Sequence, residues 1–129
     1  MASLTTISSS ELAAPGGSYS LGIATGSLVF CAGAIAVDQD GKVAGETVGE
    51  QTKKVIENLE VVLKAAGSSL DQVVKTLCFL VEIDDFSEFD EAYAEKFGSH
   101  RPTRSTVAVA GLVKGALVEI ECTAEVPSQ

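Results

Sequence analysis

The run from Val73 to Ile83 places the tightest limit on what this chain can fold into. Leu77, Phe79, Val81 and Ile83 share one parity, and Val74, Cys78 and Leu80 share the other. Successive side chains of a strand point to opposite faces, so a strand here is apolar on both sides and both must be covered. What the rest of the chain offers as cover therefore decides the architecture.

A helical period begins after Thr47, where Val48, Thr52, Val55, Ile56, Leu59, Val62, Leu63 and Ala66 fall on one face. Thr47 and Glu50 have the spacing of a capping box, and Gly67 suits a helix stop. A second helix is expected from Asp84 or Asp85, with Glu88 placed to complete its cap. It carries Phe86, Phe89, Tyr93 and Phe97 along one side and ends near Gly98. Upstream, Tyr19 to Thr25 and Ser27 to Val37 read as a hairpin turning at Thr25 and Gly26, after an irregular lead-in over residues 1–18 with room for a short strand. Downstream, the run Arg101 to Ala110 and the run Ala116 to Glu125 read as a second hairpin turning through Gly111–Gly115.

The predicted order is ββαβαββ, an α+β sandwich in one domain spanning residues 1–129. Two helices cover only one face of its sheet. The other apolar face then needs a partner, and identical subunits packing sheet on sheet are the economical one, so an obligate homo-oligomer is expected.

With 129 residues the chain can bury a core unaided. Its net charge of −9 opposes binding to polynucleotide phosphates. Cys31, Cys78 and Cys122 each lie in an apolar run without CxxC spacing. They read as buried thiols of a reducing compartment, a disulfide with one cysteine left over being the alternative. His100 has no histidine partner at ligand spacing, and no metal site is expected. The uncharged stretch between Glu11 and Asp38 is broken by Pro15 and several glycines, so it does not read as a membrane span. The first residues, Met1 to Thr5, have neither the basic segment nor the apolar core of a secretory signal. A cytoplasmic protein is expected.

Arg104 is the residue that asks for a ligand. It sits in Thr103-Arg104-Ser105-Thr106-Val107-Ala108, a run otherwise suited to a buried strand, and a guanidinium enters such a strand only where an anion meets it. Glu119 and Glu121 alternate with Val118, Ile120 and Cys122 on the next strand. From these residues alone, an ion pair across the hairpin and an anionic ligand are both open.

The combination of Arg101-Pro102-Thr103-Arg104-Ser105-Thr106 with Val118-Glu119-Ile120-Glu121 resembles the signature of the Rid/YjgF family, the reactive-intermediate deaminases. Ser18-Tyr19-Ser20, Cys31-Ala32-Gly33, Asn58-Leu59, Ala65-Ala66-Gly67, Asp85-Phe86 and Tyr93 extend the likeness over nearly the whole chain. The resemblance implies a chorismate-mutase-like homotrimer with a central β-barrel and sites in clefts between subunits. It also implies cofactor-free hydrolysis of imines or enamines, such as 2-iminopropanoate and 2-iminobutanoate, to 2-oxo acids and ammonia.

In that scheme Arg104 holds the substrate carboxylate, Glu119 positions the attacking water, Tyr19 borders the substrate, and the backbone around Gly33 and Thr106 completes the pocket. The partners implied are a small imino or 2-oxo acid and further copies of the chain, with neither nucleic acid nor membrane. Four positions depart from the family pattern: Thr106 where cysteine is common, Asp90 where asparagine is common, and Leu21 and Ala34 where glutamine is common. These changes bear on the substrate's side chain, and a specialised enamine such as aminoacrylate or 2-aminomuconate is an alternative. So is a carboxylate-binding protein without turnover, and a ribonuclease is opposed by the acidic charge.

Overall fold

In a computed structural model the described residues run from Ser3 to Ser128; Met1, Ala2 and Gln129 lie outside them. Helix α1 spans Val48–Ala65 and helix α2 spans Phe86–Phe97. Six strands, β1 (Thr5–Ile7), β2 (Gly22–Thr25), β3 (Leu28–Ala34), β4 (Val73–Leu80), β5 (Thr103–Ala108) and β6 (Val118–Glu125), form one sheet in the order β1-β2-β3-β6-β4-β5.

Helix α1 forms where local chemistry starts and stops it. The Thr47 Oγ1 accepts from the Glu50 N–H at 3.1 Å, and the Glu50 carboxylate accepts from the N–H groups of Thr47 and Glu46. Gly67, at φ 83°, turns the chain out of the helix. Its apolar stripe, including Val55, Ile56, Leu59 and Leu63, is fully buried against the even-numbered residues of β6 and the core of β3.

The expected cap of α2 is different. Asp85 makes no side-chain capping bond, and the Glu88 carboxylate instead accepts from the N–H of Gly49 at 2.8 Å, in the first turn of α1. The first turn of a helix has orphan N–H groups and a partial positive charge, so a carboxylate from a neighbouring helix satisfies it as well as a local one does. Lys53–Glu95 and Lys96–Glu57 ion pairs also link the two helices.

The second hairpin does not form. Strand β5 pairs in parallel with β4, and β4 pairs antiparallel with β6, so β4 lies between the two strands that the sequence pattern joins. Residues 109–117 carry the chain across, and α2 makes the crossover between parallel β4 and β5. The reason lies in burial. The doubly apolar β4 gains most from a central position, whereas β5, with Thr103, Ser105, Val107 and Ala108 exposed, tolerates an edge.

Strand ends also move inward. Tyr19 to Leu21 lie in a turn before β2, and Ile83 falls in a short 3-10 turn after β4. A short strand within the lead-in, β1, pairs with β2.

Both helices lie on one face, over Thr76, Cys78, Leu80, Val118, Ile120 and Cys122, all buried. On the other face Phe30 is 47% exposed, Leu28 and Val107 are exposed, and Leu77 and Phe79 are only half-buried. The three cysteines are free and buried. No helix among the described residues is long and apolar enough to cross a membrane.

Removing either acceptor at the start of α1 leaves an N–H unpaired. Thr47→Ala and Glu88→Ala are each expected to destabilise the protein by about 1 kcal/mol, read as a lower unfolding midpoint in urea. Unchanged midpoints would mean that water serves these groups equally well.

Candidate functional site

Arg104 and Glu119 stand on opposite faces of the sheet. Arg104 is registered with Thr76, which is buried under the helices with its hydroxyl 2.9 Å from that of Tyr93. Glu119 is registered with Phe79, three residues further along β4 and hence on the open face. With β4 between them and three residues of rise along it, their backbones are roughly 14 Å apart. They do not meet within one chain, and of the two readings left open the ion pair across a hairpin is not formed.

The arginine's carboxylate partner is Asp90 of α2. Arg104 Nη1 donates to Asp90 Oδ1 at 2.7 Å, with the Arg104 side chain 22% exposed. The guanidinium carbon lies 4.7 Å from the centre of the Tyr93 ring and 5.4 Å from those of Phe86 and Phe89. The aromatic side of α2 is thus both core packing and a bed for the cation.

Thr106, two residues on and facing the same way, has a buried Oγ1 with no hydrogen-bond partner among the described residues. Burial pushes the neighbouring Cys78 thiol up to about 11, against the opposing influence of the Thr76 hydroxyl and the Arg104 charge. Cys78 is a packed thiol, not a nucleophile.

Glu119 opens onto a cavity of about 470 Å³, between the N-terminal segment, the end of β3, α1 and the turn at Val113–Lys114. Tyr19, Gly33, Leu21 and Ala34 line it as well. Between Cys31 and Ala34 the pairing of β3 with β6 slips by a bulge. Gly33 lies here, and a Cβ added to it would come 2.6 Å from Glu119 Oε2, so the carboxylate occupies space that only glycine leaves. Tyr19 is half exposed, and its hydroxyl accepts from the Gly16 N–H at 3.2 Å, which places the ring at the surface and not in the core. Glu121 is exposed on the same face as Glu119.

Burial raises the pKa of Glu119 above its usual value, and the nearby Glu121 charge adds to the rise. Of the sequence-expected residues, Tyr19, Gly33 and Glu119 come together at this cavity, while Arg104 and Thr106 come together under α2. Two participants were not assigned roles from sequence. Asp90 holds the arginine, for which the arginine's own need for an anion was the available signal. Lys114 lines the cavity with its Nζ donating to the Gly41 carbonyl, and its positive φ of 59° gave no sequence signal. No group of three or more metal-ligating side chains is assembled among the described residues.

The family model described as endoribonuclease L-PSP matches residues 9–126. The chain belongs to the Rid/YjgF (L-PSP) family. A crystal structure of an L-PSP protein from Entamoeba histolytica superposes with a TM-score of 0.91 and 48% identity, covering 95% of this chain and 99% of that one. The structure of E. coli TdcF with bound serine gives a TM-score of 0.89 and 34% identity, covering 96% and 99%. Reactive Intermediate Deaminase A of Arabidopsis thaliana, a chloroplastic protein, is 39% identical over 119 residues, 92% of this chain and 64% of its own length. Membership thus agrees with the mixed sheet and two helices, and it does not fix a cellular compartment.

The raised Glu119 sets a pH dependence. Its proton is held in the folded chain at pH values where the unfolded chain has lost it. Its contribution to stability is therefore full below the ordinary carboxyl value of 4.5 and is lost as pH rises through the folded midpoint. A carbon-detected carboxyl titration should put the Glu119 midpoint above 4.5, and Glu121→Gln should lower it. Glu119→Gln should flatten the fall in stability over that window. An ordinary midpoint would rule out a desolvated carboxylate here.

Proposed function

We propose that the protein hydrolyses 2-imino acids and their enamine forms to 2-oxo acids and ammonia, in clefts between the subunits of a homotrimer. The observation that carries this reading is the half-buried Arg104 guanidinium. It rests on three aromatic rings, with one hydrogen bond to Asp90 and, beside it, a Thr106 hydroxyl that has no partner among the described residues. Its other N–H donors suit the two parallel bonds of a substrate carboxylate. A family containing a named reactive intermediate deaminase, and a relative holding serine, support a small amino-acid-derived ligand.

The opposed directions of Arg104 and Glu119 support a site built from two copies. In the proposed trimer the open face with Leu28, Phe30 and Val107 is covered by neighbouring sheets around a central barrel. The Arg104 of one subunit then faces the Glu119, Gly33 and Tyr19 of the next. Arg104 fixes the carboxylate and so the adjacent C=N carbon. Glu119 takes a proton from water as its oxygen bonds to that carbon and the nitrogen gains a proton. Transfer of a further proton to nitrogen breaks the C–N bond, ammonia leaves, and the hydroxyl proton is lost to give the 2-oxo acid. The raised pKa of Glu119 eases this two-way exchange. Tyr19 borders the substrate, and the backbone at Gly33 and Thr106 closes the pocket. Every step is water attack or proton transfer, so the reading invokes no cofactor.

An amino acid oxidase that generates 2-iminobutanoate in the presence of semicarbazide provides the assay. Wild-type protein should deplete the trapped imine. Arg104→Ala should lose about a hundredfold or more in kcat/KM and Glu119→Gln about a hundredfold in kcat. Reassembling the two inactive variants together should restore activity, since some clefts then hold both native residues. Asp90→Asn, which removes a competing carboxylate from the guanidinium, should lower KM by about threefold. A trapped signal unchanged for several imines would sink the hydrolase reading; retained 2-oxo acid binding, lost in Arg104→Ala, would then mark a binding protein.

A further inference from the structure

We infer that the preferred substrates carry a large apolar side chain, of the leucine or phenylalanine kind, which enters the cavity behind Glu119 and lies against Leu21, Ile35, Leu59 and Val62. This rests on the imine-hydrolase reading above and narrows it to a substrate class.

The size of the cavity is the first argument. About 470 Å³ corresponds to roughly fifteen water volumes, far more than the three-carbon 2-iminopropanoate fills. A substrate that leaves this space wet gains nothing from it. The second argument is the character of the wall. Besides Tyr19, Gly33 and Glu119, the wall includes Leu12, Leu21, Ala34 and Ile35, together with Leu59 and Val62 of α1.

The third argument is that two polar side chains of the wall, Asn58 and Lys114, already donate to main-chain carbonyls. Asn58 Nδ2 donates to the carbonyls of Ile35 and Val37, at 3.2 and 3.0 Å, and Lys114 Nζ donates to that of Gly41. A hydroxyl or amide on the substrate that reaches past Tyr19 would find both Asn58 amide hydrogens taken and Lys114 shared with the Gly41 carbonyl, and would lose part of its water. An acidic side chain would in addition face the Glu119 carboxylate. Each methylene buried against such a wall favours binding by about fourfold.

The test uses the whole protein with 2-imino acids made in situ from alanine, 2-aminobutyrate, leucine, phenylalanine, serine and glutamate. The corresponding 2-oxo acids are titrated calorimetrically. The kcat/KM should rise at least tenfold from the alanine to the leucine product and fall below the alanine value for serine and glutamate. The protein should bind 4-methyl-2-oxopentanoate at least tenfold more tightly than pyruvate. Leu21→Gln, or Ala34→Gln should the first fail to fold, should shrink the leucine-to-alanine ratio at least fivefold.

Turnover with a flat or reversed order overturns this inference and leaves the hydrolase reading intact. Tighter binding of 4-methyl-2-oxopentanoate without turnover of any imine overturns the hydrolase reading and supports the side-chain site. A crystal structure of the assembled protein in which a neighbouring subunit fills the cavity overturns the inference outright.

Discussion

The packing of β4 on both faces and both edges is the constraint from which the rest of the molecule follows. Its even-numbered residues complete the core beneath the helices, with Cys78 and Leu80 inaccessible. Its odd-numbered residues, Leu77 and Phe79, form the middle of an open apolar face. Because β4 takes the place between β6 and β5, β5 becomes an edge strand. An edge is where an arginine can keep its aliphatic stem in the core and its charged end within reach of solvent.

That placement also divides the chemistry. The cation and its aromatic bed belong to the β5–α2 side, and the carboxylate with its elevated pKa belongs to the β3–β6 side. Hydrolysing a carboxylate-bearing imine requires a cationic anchor and a proton-exchanging group a few ångströms apart. One chain keeps them on separate faces, so association of copies is a chemical requirement of the proposed reaction as well as a way to cover apolar surface.

What could be read from the sequence follows the range of the forces involved. The start of α1 was legible because Thr47 and Glu50 settle it within one turn, and the two-faced character of β4 because it lies in a single run. Strand neighbours were not legible: a turn-like Gly111–Gly115 between two strands invites a hairpin, and only the competition for the central position shows that β4 wins it. The same holds for Glu88, whose role at Gly49 is set by a residue 39 positions away. At the site, the motif marked Arg104, Glu119, Gly33 and Tyr19, yet Asp90 as the arginine's partner depends on how α2 lies over β5. The division of these residues between two faces depends on strand order, which no local pattern encodes.

The bond from Gly49 to Glu88 has a mechanical meaning beyond capping. It joins the first turn of α1 to the first turn of α2, and the two inter-helix ion pairs fasten the same helices further along. Helix α1 is the floor of the cavity and α2 is the bed of the arginine. In the trimer proposed above each subunit would lend its arginine to one cleft and its cavity to the next. The fastened helix pair would then be the link between consecutive clefts, so that a displacement imposed at one would reach the other through α1 and α2.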